Sequence, residues 1–497
     1  MENITQLIDT EALTSALLYD SHNPLLFNSC AFMLIFLLFL AIYRMMRRHH
    51  TVKMVFVILF SLYFYYKNSA ECCFILMGVC VSDYLLGRWM GCAGQRWVKR
   101  SIVAINVIVN VGMLVYFKYF NLLYETIANI TGTHFDALDI ILPAGISFFT
   151  FRSISYIVDI YRGKMTPVHN FLDYAFFLTF FPPLLAGPVV RARDLIPQIQ
   201  ARAEATRVMV GEGFFLIMTG LVKKVIIADY ISGNFVDRIF ENPSLYSGIE
   251  NIFGTIGFTI QLYCDFSGYS DMAIGIALLL GYRFKDNFNS PFKSQSPTEF
   301  WRRWHISLST WLRDYIYIPL GGNRCSQIRM YTNLMLTMVI GGLWHGASWM
   351  YIIWGAYHGA LLAIHKLLHK IWHTPQWIKN SMPAITFNIT LTFVLVVIGF
   401  AVFRAPSMET LGDMLNQITE SPHWDMLPQI VNAYPLVFIA IITGLLLHMS
   451  PHAWTIRLQQ TYAACPAVLQ AIILAAVIFA VIQTRSADLV PFVYLQY

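Results

Sequence analysis

Charge is what this 497-residue chain has least of: Asp, Glu, Lys and Arg together make up 12% of it, where an ordinary globular protein carries about 25%. So few charges cannot cover a surface that faces water, and 57% of the residues are hydrophobic and 15% aromatic. That balance excludes both a soluble globular protein and a disordered chain. The formal net charge of +6 is small for the length and gives no footprint for nucleic acid. The eight cysteines form no C-x-x-C pair and stand mostly in or beside apolar runs. A disulfide framework and a structural zinc site are therefore excluded, and free thiols acting as small hydrophobes are expected. No G-x-S-x-G elbow, Walker A loop or dinucleotide fingerprint occurs, so hydrolase, NTPase and dehydrogenase readings lack support. What is left is an all-α, polytopic membrane protein.

The first apolar run, Leu25–Tyr43, has no Lys or Arg before it and is followed by Arg44, Arg47, Arg48 and Lys53. As a helix it is about 28 Å long, enough for a bilayer core. Its positive charges come after the run, so it is expected to be retained rather than cleaved as a signal. The positive-inside rule puts the N-terminus (1–24) outside and the Arg44–Lys53 loop in the cytoplasm of a multi-pass inner-membrane protein. Further passes are expected at Met54–Tyr66, Phe74–Leu86, Ser101–Tyr116, Tyr331–Leu343, Trp349–Leu362, Ile385–Phe403, Leu436–Leu447 and Val468–Ile482. With the irregular middle third, eleven to thirteen spans are expected. The principal membrane domain is expected over 25–405. Residues 406–497 hold an external loop, with Glu409, Asp413, Glu420 and Asp425 and no Lys or Arg to position 433, and then two more helices.

The middle third is interrupted by Pro143, Gly145, the Pro182-Pro183 pair and Gly187-Pro188, and a break is expected near Gly268 in Cys264–Asp271. Irregular backbone at membrane depth must be buried in protein or line a watery cavity. Arg283–Arg329 holds eight Lys and Arg against three acids, together with Trp301, Trp304, Trp311, Tyr315 and Tyr317. A cytoplasmic, amphipathic or re-entrant segment fits that mixture.

Within these segments a few groups are able to do chemistry. His345 lies in Gly341-Gly342-Leu343-Trp344-His345-Gly346, at the end of an apolar span and between glycines that let other groups approach its ring. Intramembrane ionisable residues are functional candidates, and imidazole suits general acid–base work near neutral pH. The plainer reading is a histidine hydrogen-bonded to a neighbouring helix. His305, beside Trp304, reads on periodicity alone as an interfacial anchor, although two histidines on neighbouring membrane-depth segments can also meet across one cavity. His358 is held as cavity lining. His365, His369 and His373 have metal-binding spacing, but Lys366 stands where a zinc protease has Glu, so a solvated face is expected and no metal. Arg152 and Asp159 share a helix face and are expected to compensate each other. Asp265 and Asp271 are open to either a structural or a functional role.

The run Glu299–Tyr317, followed by Gly321-Gly322-Asn323-Arg324 and Gly342-Leu343-Trp344-His345-Gly346-Ala347, resembles the membrane-bound O-acyltransferase (MBOAT) family. The likeness is strongest to the bacterial branch typified by alginate O-acetyltransferase. Leu142–Tyr156, Asp159–Gly163, Ala186–Arg191 and Gln261–Asp271 carry it further, from about residue 25 to 405. The resemblance implies a ring of short, tilted and re-entrant helices around a central tunnel, with His345 and His305 as the catalytic pair. It implies an acyl thioester donor, acetyl-CoA or another, with no tightly bound cofactor. The acyl group, acetyl in this branch, would go to a cell-envelope or extracellular polysaccharide. D-alanyl transfer to teichoic acid, or a non-enzymatic transporter or flippase, are the alternatives. Arg302, Arg303, Arg313, Trp304 and Trp344 are the expected donor-binding residues. Membrane lipid and a separate exported esterase-like acetyltransferase are the expected partners, because this chain has no soluble domain to complete the transfer.

Overall fold

A computed structural model describes residues 17–20, 23–371, 375, 380–484 and 492. Those residues are helical wherever they are regular, and they fold as two compact units: the described residues up to Ala205 with Leu280–Phe284, and Thr206–Leu279 with the described residues from Lys285 on.

In the first unit the Cys30–Met45 helix starts five residues later than hydropathy suggests. Ser29 sets the start, its hydroxyl capping the Phe32 amide at 3.1 Å. His50–Ser69 and Cys73–Cys92 follow, separated by the turn at Ala70–Cys72, where Ala70 takes φ 46°. Then comes Arg96–Leu114. Leu34, Phe74 and Ile108 face outward on these helices; a helix apolar on its outer face is suited to lipid. Inside, the Asp83 carboxylate accepts from Asn106, Ser153 and Tyr174, each at 2.8 Å. This ties Cys73–Cys92 and Arg96–Leu114 to the helices Ile146–Tyr161 and Phe171–Thr179. The expected Arg152–Asp159 compensation takes another form: Arg152 donates to the Leu178 carbonyl at 3.1 Å, while Asp159 is paired with Arg193 at 3.3 Å. Sharing a face is not enough when neighbouring elements offer better-placed partners.

The second unit is built on Gly248–Leu279, a continuous helix of 32 residues and almost wholly buried. The break expected near Gly268 is absent. Gly268 instead lets Arg207–Leu221 pack against it: a Cβ at Gly268 would stand 2.7 Å from the Gly220 carbonyl oxygen, and one at Gly275 2.6 Å from that of Gly213. Small residues at a helix crossing allow this backbone approach. Beyond Leu221 the chain runs on as π-helix through Val222–Asp229 and Ser232–Val236. This geometry is uncommon and frequent at functional sites. It carries Lys224 to Asp229 at 2.8 Å and Asp265 at 2.5 Å, and Lys223 to Asp271 at 2.7 Å. Asp265 and Asp271 are thus both ion-paired, and Phe492 lies against the cluster, 4.7 Å below Lys224.

By length and apolarity five helices among the described residues are able to cross a membrane, or six if the pair Trp424–Ala433 and Pro435–Met449, bent by 95°, counts as one. That is fewer than the eleven to thirteen expected: His50–Cys92 counts once although a turn divides it, and helices such as Gly248–Leu279 carry Asn, Gln, Asp and Ser. The loop expected at 405–433 contains the helices Met408–Glu420 and Leu427–Ala433.

Candidate active site

The basic, Trp-rich stretch resolves into two seven-residue helices, Pro297–Arg303 and Ile306–Leu312, joined at Trp304–His305. Ser296 caps the first through the Glu299 amide at 3.2 Å. A π-turn, Arg313–Tyr317, follows the second. Further on, Gln327–His345 and Trp349–Ile371 cross closely. A Cβ at Gly355 would stand 2.9 Å from the Val339 Cα, and one at Gly342 would strike the Tyr351 carbonyl oxygen. The first of these helices stops at His345 because Gly346 turns to extended backbone, φ −169°.

His345 is 4% exposed. Its ring is met edge-to-face by Trp344 and Trp354, each with centroid at 4.9 Å, and by Phe403 at 5.2 Å. His305 is fully buried, with Phe266 at 4.6 Å and Trp344 at 5.7 Å. Both histidines therefore touch one indole, that of Trp344. His305 does not sit at an interface as an anchor would. It takes a left-handed backbone, φ 41° and ψ 56°, uncommon for a residue other than glycine. Outside the candidate spans, its ring is cut off from water, and burial pushes its pKa down from the ordinary 6.5 to about 3. It is neutral at any physiological pH.

His358 continues the cage, with Trp354 at 4.8 Å, Trp301 at 5.2 Å and Phe300 stacked at 6.3 Å. Trp354 thus lies against both His345 and His358. Trp304 is a core residue, stacked on Phe300 at 5.6 Å and packed on Phe400 at 5.1 Å. Of the three arginines, Arg303 is paired with Glu299 at 2.7 Å and Arg313 with Asp314 at 2.8 Å. Arg302 is exposed and forms no ion pair among the described residues. His365 and His369 stand with ring centroids 6.2 Å apart, and His365 shares a 3.0 Å hydrogen bond with Thr298. His373 lies outside the described residues.

Sequence reasoning missed Asn287. Its side-chain oxygen accepts from the Ser307 amide at 3.2 Å and hydroxyl at 2.8 Å, directly beside His305. Asparagine in an irregular segment gives no periodic signal, so nothing in the sequence marked it. Phe266 and Phe403, which form walls of the two histidine sites, read only as apolar helix positions.

Together the arrangement offers a neutral imidazole and a second imidazole on a shared indole, both enclosed by aromatic rings. Such a site suits proton transfer during attack on an activated carbonyl. Residues 165–403 match the family model described as MBOAT, membrane-bound O-acyltransferase family. The chain is 42% identical to the protein named Probable alginate O-acetylase AlgI from Pseudomonas aeruginosa, over 81% of this chain and 76% of that one. It is 36% identical to the Peptidoglycan O-acetyltransferase of Helicobacter pylori, over 72% of each. It is 29% identical to the Teichoic acid D-alanyltransferase of Bacillus subtilis, over 52% of this chain and 68% of that one.

Proposed function

The chain belongs to the membrane-bound O-acyltransferase family and is a multi-pass membrane enzyme of O-acyl transfer, and on that premise we propose that it moves acetyl groups from a cytoplasmic thioester toward a cell-envelope or extracellular polysaccharide. The observation that carries the proposed chemistry is the placement of His345 and His305 on one indole, Trp344, inside an aromatic enclosure.

In this reading His345 takes the proton of the acceptor hydroxyl as its oxygen attacks the thioester carbonyl. The tetrahedral intermediate collapses, the C–S bond breaks, and the departing thiolate recovers the proton from the imidazolium. His305, neutral through burial, donates a ring N–H toward the carbonyl oxygen as charge develops on it, or orients the donor. The walls exclude water, the competing acceptor; His345 is only 4% exposed. Arg302, which no acid neutralises among the described residues, attracts the anionic carrier of the thioester, with Arg303 and Arg313 adding to a basic surface. The N-terminus and the 405–433 segment face outward, where an exported esterase-like protein completes the transfer to polymer.

D-alanyl transfer is the second reading, favoured by the likeness to teichoic acid D-alanyltransferase. It draws on a smaller share of this chain and lower identity than the O-acetylase likeness. The test is mass spectrometry of envelope polysaccharides from a deletion strain complemented with wild type or with His345→Ala. Loss of acetyl esters in the deletion, restored about 10²–10⁴-fold better by wild type than by a folded His345→Ala protein, is the expected result. Loss of alanyl esters supports the second reading. Unchanged esters, or full rescue by His345→Ala, overturns both.

A further inference from the structure

The Ile306–Leu312 helix has a capping problem. The first four amides of any helix lack intrahelical partners, and the N-cap residue usually supplies an oxygen from Ser, Thr, Asp or Asn. Here the N-cap is His305, whose side chain makes no capping hydrogen bond. The cap comes instead from Asn287. Its main-chain oxygen accepts from the Ile306 amide at 2.9 Å, and its side-chain oxygen accepts from the Ser307 amide at 3.2 Å. The same oxygen accepts from the Ser307 hydroxyl at 2.8 Å, and the amide nitrogen donates to the Ser270 hydroxyl of the Gly248–Leu279 helix at 3.2 Å.

Asn287 is 1% exposed, so both ends of its amide are fixed by protein. Its neighbours brace the same junction. The Asn289 amide donates to the Arg303 carbonyl at 2.9 Å, and Arg303 returns a bond to the Asn289 carbonyl at 3.2 Å. Phe288 packs edge-on against Trp304 at 5.1 Å and Phe266 at 5.0 Å, and Phe266 is the ring that meets His305. A left-handed residue other than glycine persists when its surroundings over-determine it, and such residues gather at active sites.

We propose that Asn287 is a positioning residue for His305: it supplies the cap that position 305 would otherwise provide, holds the left-handed turn, and so sets the imidazole between Phe266 and Trp344. The inference rests on the proposed acyl transfer. Only an asparagine-like group fits the role, because one oxygen must accept from Ser307 while the other end meets Ser270.

The test uses purified full-length protein, an acyl-CoA donor, and initial rates for wild type, His345→Ala, Asn287→Leu and Asn287→Asp. Leucine keeps the size and removes every side-chain hydrogen bond. Aspartate keeps the acceptor for Ser307 and can accept from Ser270. For Asn287→Leu we expect kcat to fall about 30-fold and donor KM to stay within twofold, with the melting temperature lowered by roughly a few degrees because a helix cap and its buried partners lose their hydrogen bonds. Asn287→Asp should recover most of the turnover. A merely structural role would lower the amount of active protein without this ordering or the split between kcat and KM. If Asn287→Leu does not fold, Asn287→Ala is read in its place. Activity of the leucine or alanine variant within twofold of wild type overturns the proposal, as do equal losses in the leucine and aspartate variants. Unchanged transfer by His345→Ala instead overturns the acyl-transfer reading on which it rests.

Discussion

Two buried polar clusters in the second unit are accommodated by opposite means. Around Lys223 and Lys224 charge is met by charge: one ammonium is shared between Asp229 and Asp265, and the other is paired with Asp271. Around His305, His345 and His358 imidazoles are met by the edges and faces of Phe, Trp and Tyr rings. The difference separates the roles. A paired ammonium and carboxylate are locked by their mutual attraction, and breaking the pair strands a charge. A ring enclosure disfavours the charged imidazole, so it leaves His305 neutral and able to offer a ring N–H to a developing charge. The ion cluster braces the π-helix against Gly248–Leu279, and the ring cage on the same unit is where chemistry is expected.

The largest effect that would break this contrast is on the ion cluster. Lys224→Ala leaves Asp229 and Asp265 buried without their shared partner, at a cost of about 3–5 kcal/mol. Thermal unfolding of the detergent-solubilised protein should show a large loss, with activity per folded molecule retained. Lys224→Met combined with Asp265→Asn removes one charge of each sign and should recover part of the stability. A Lys224→Ala protein of normal stability but no turnover would place the cluster in the reaction instead.

A smaller loss is expected at the glycine crossing that sets the cluster's geometry. A side chain at Gly268 meets the Gly220 carbonyl oxygen, so Gly268→Val should destabilise by about 1–3 kcal/mol through overpacking. The same melting measurement checks it. Gly78, with nothing near its Cβ position, is the control, and Gly78→Ala should leave the melting temperature nearly unchanged.

These two regions also differ in how far the sequence exposes them. Composition alone demands a membrane protein, and the Trp344-His345-Gly346 and Trp304-His305 motifs lead to the aromatic cage. Spacing along one helix, however, names a face and not the partner across it. Arg152 and Asp159 share a face yet bond elsewhere, and Gly268 reads as a break when it is a contact, because glycine signals both and only packing distinguishes them. Lys223, Lys224, Asp265 and Asp271 are four charges on two distant segments, and nothing in their order says which lysine meets which carboxylate. Asn287 is the extreme case: its effect is exerted on a residue eighteen positions away, through a helix cap whose usual donor of oxygen is absent.

The smallest effect sharpens the contrast between paired and unpaired charge at the surface. Arg303 is held by Glu299 and by the Asn289 carbonyl, and Arg313 by Asp314, whereas adjacent Arg302 is exposed and without an ion pair among the described residues. If Arg302 attracts the anionic thioester carrier, Arg302→Glu should raise donor KM about threefold to tenfold with kcat little changed, since long-range attraction governs encounter more than the chemical step. Arg302→Gln should act in the same direction and less strongly. The difference between Arg302→Glu and wild type should shrink as salt rises from about 0.05 to 0.5 M, because the screening length falls below the reach of a surface charge. Arg303→Gln removes a charge that Glu299 already offsets and frees that acid. Its effect on KM should then match that of a mild charge reversal and disappear in Arg303→Gln with Glu299→Gln. Equal KM shifts for the two arginines in every background would mean that the donor senses only the total charge of this surface, and that the pairing seen here does not select its contact.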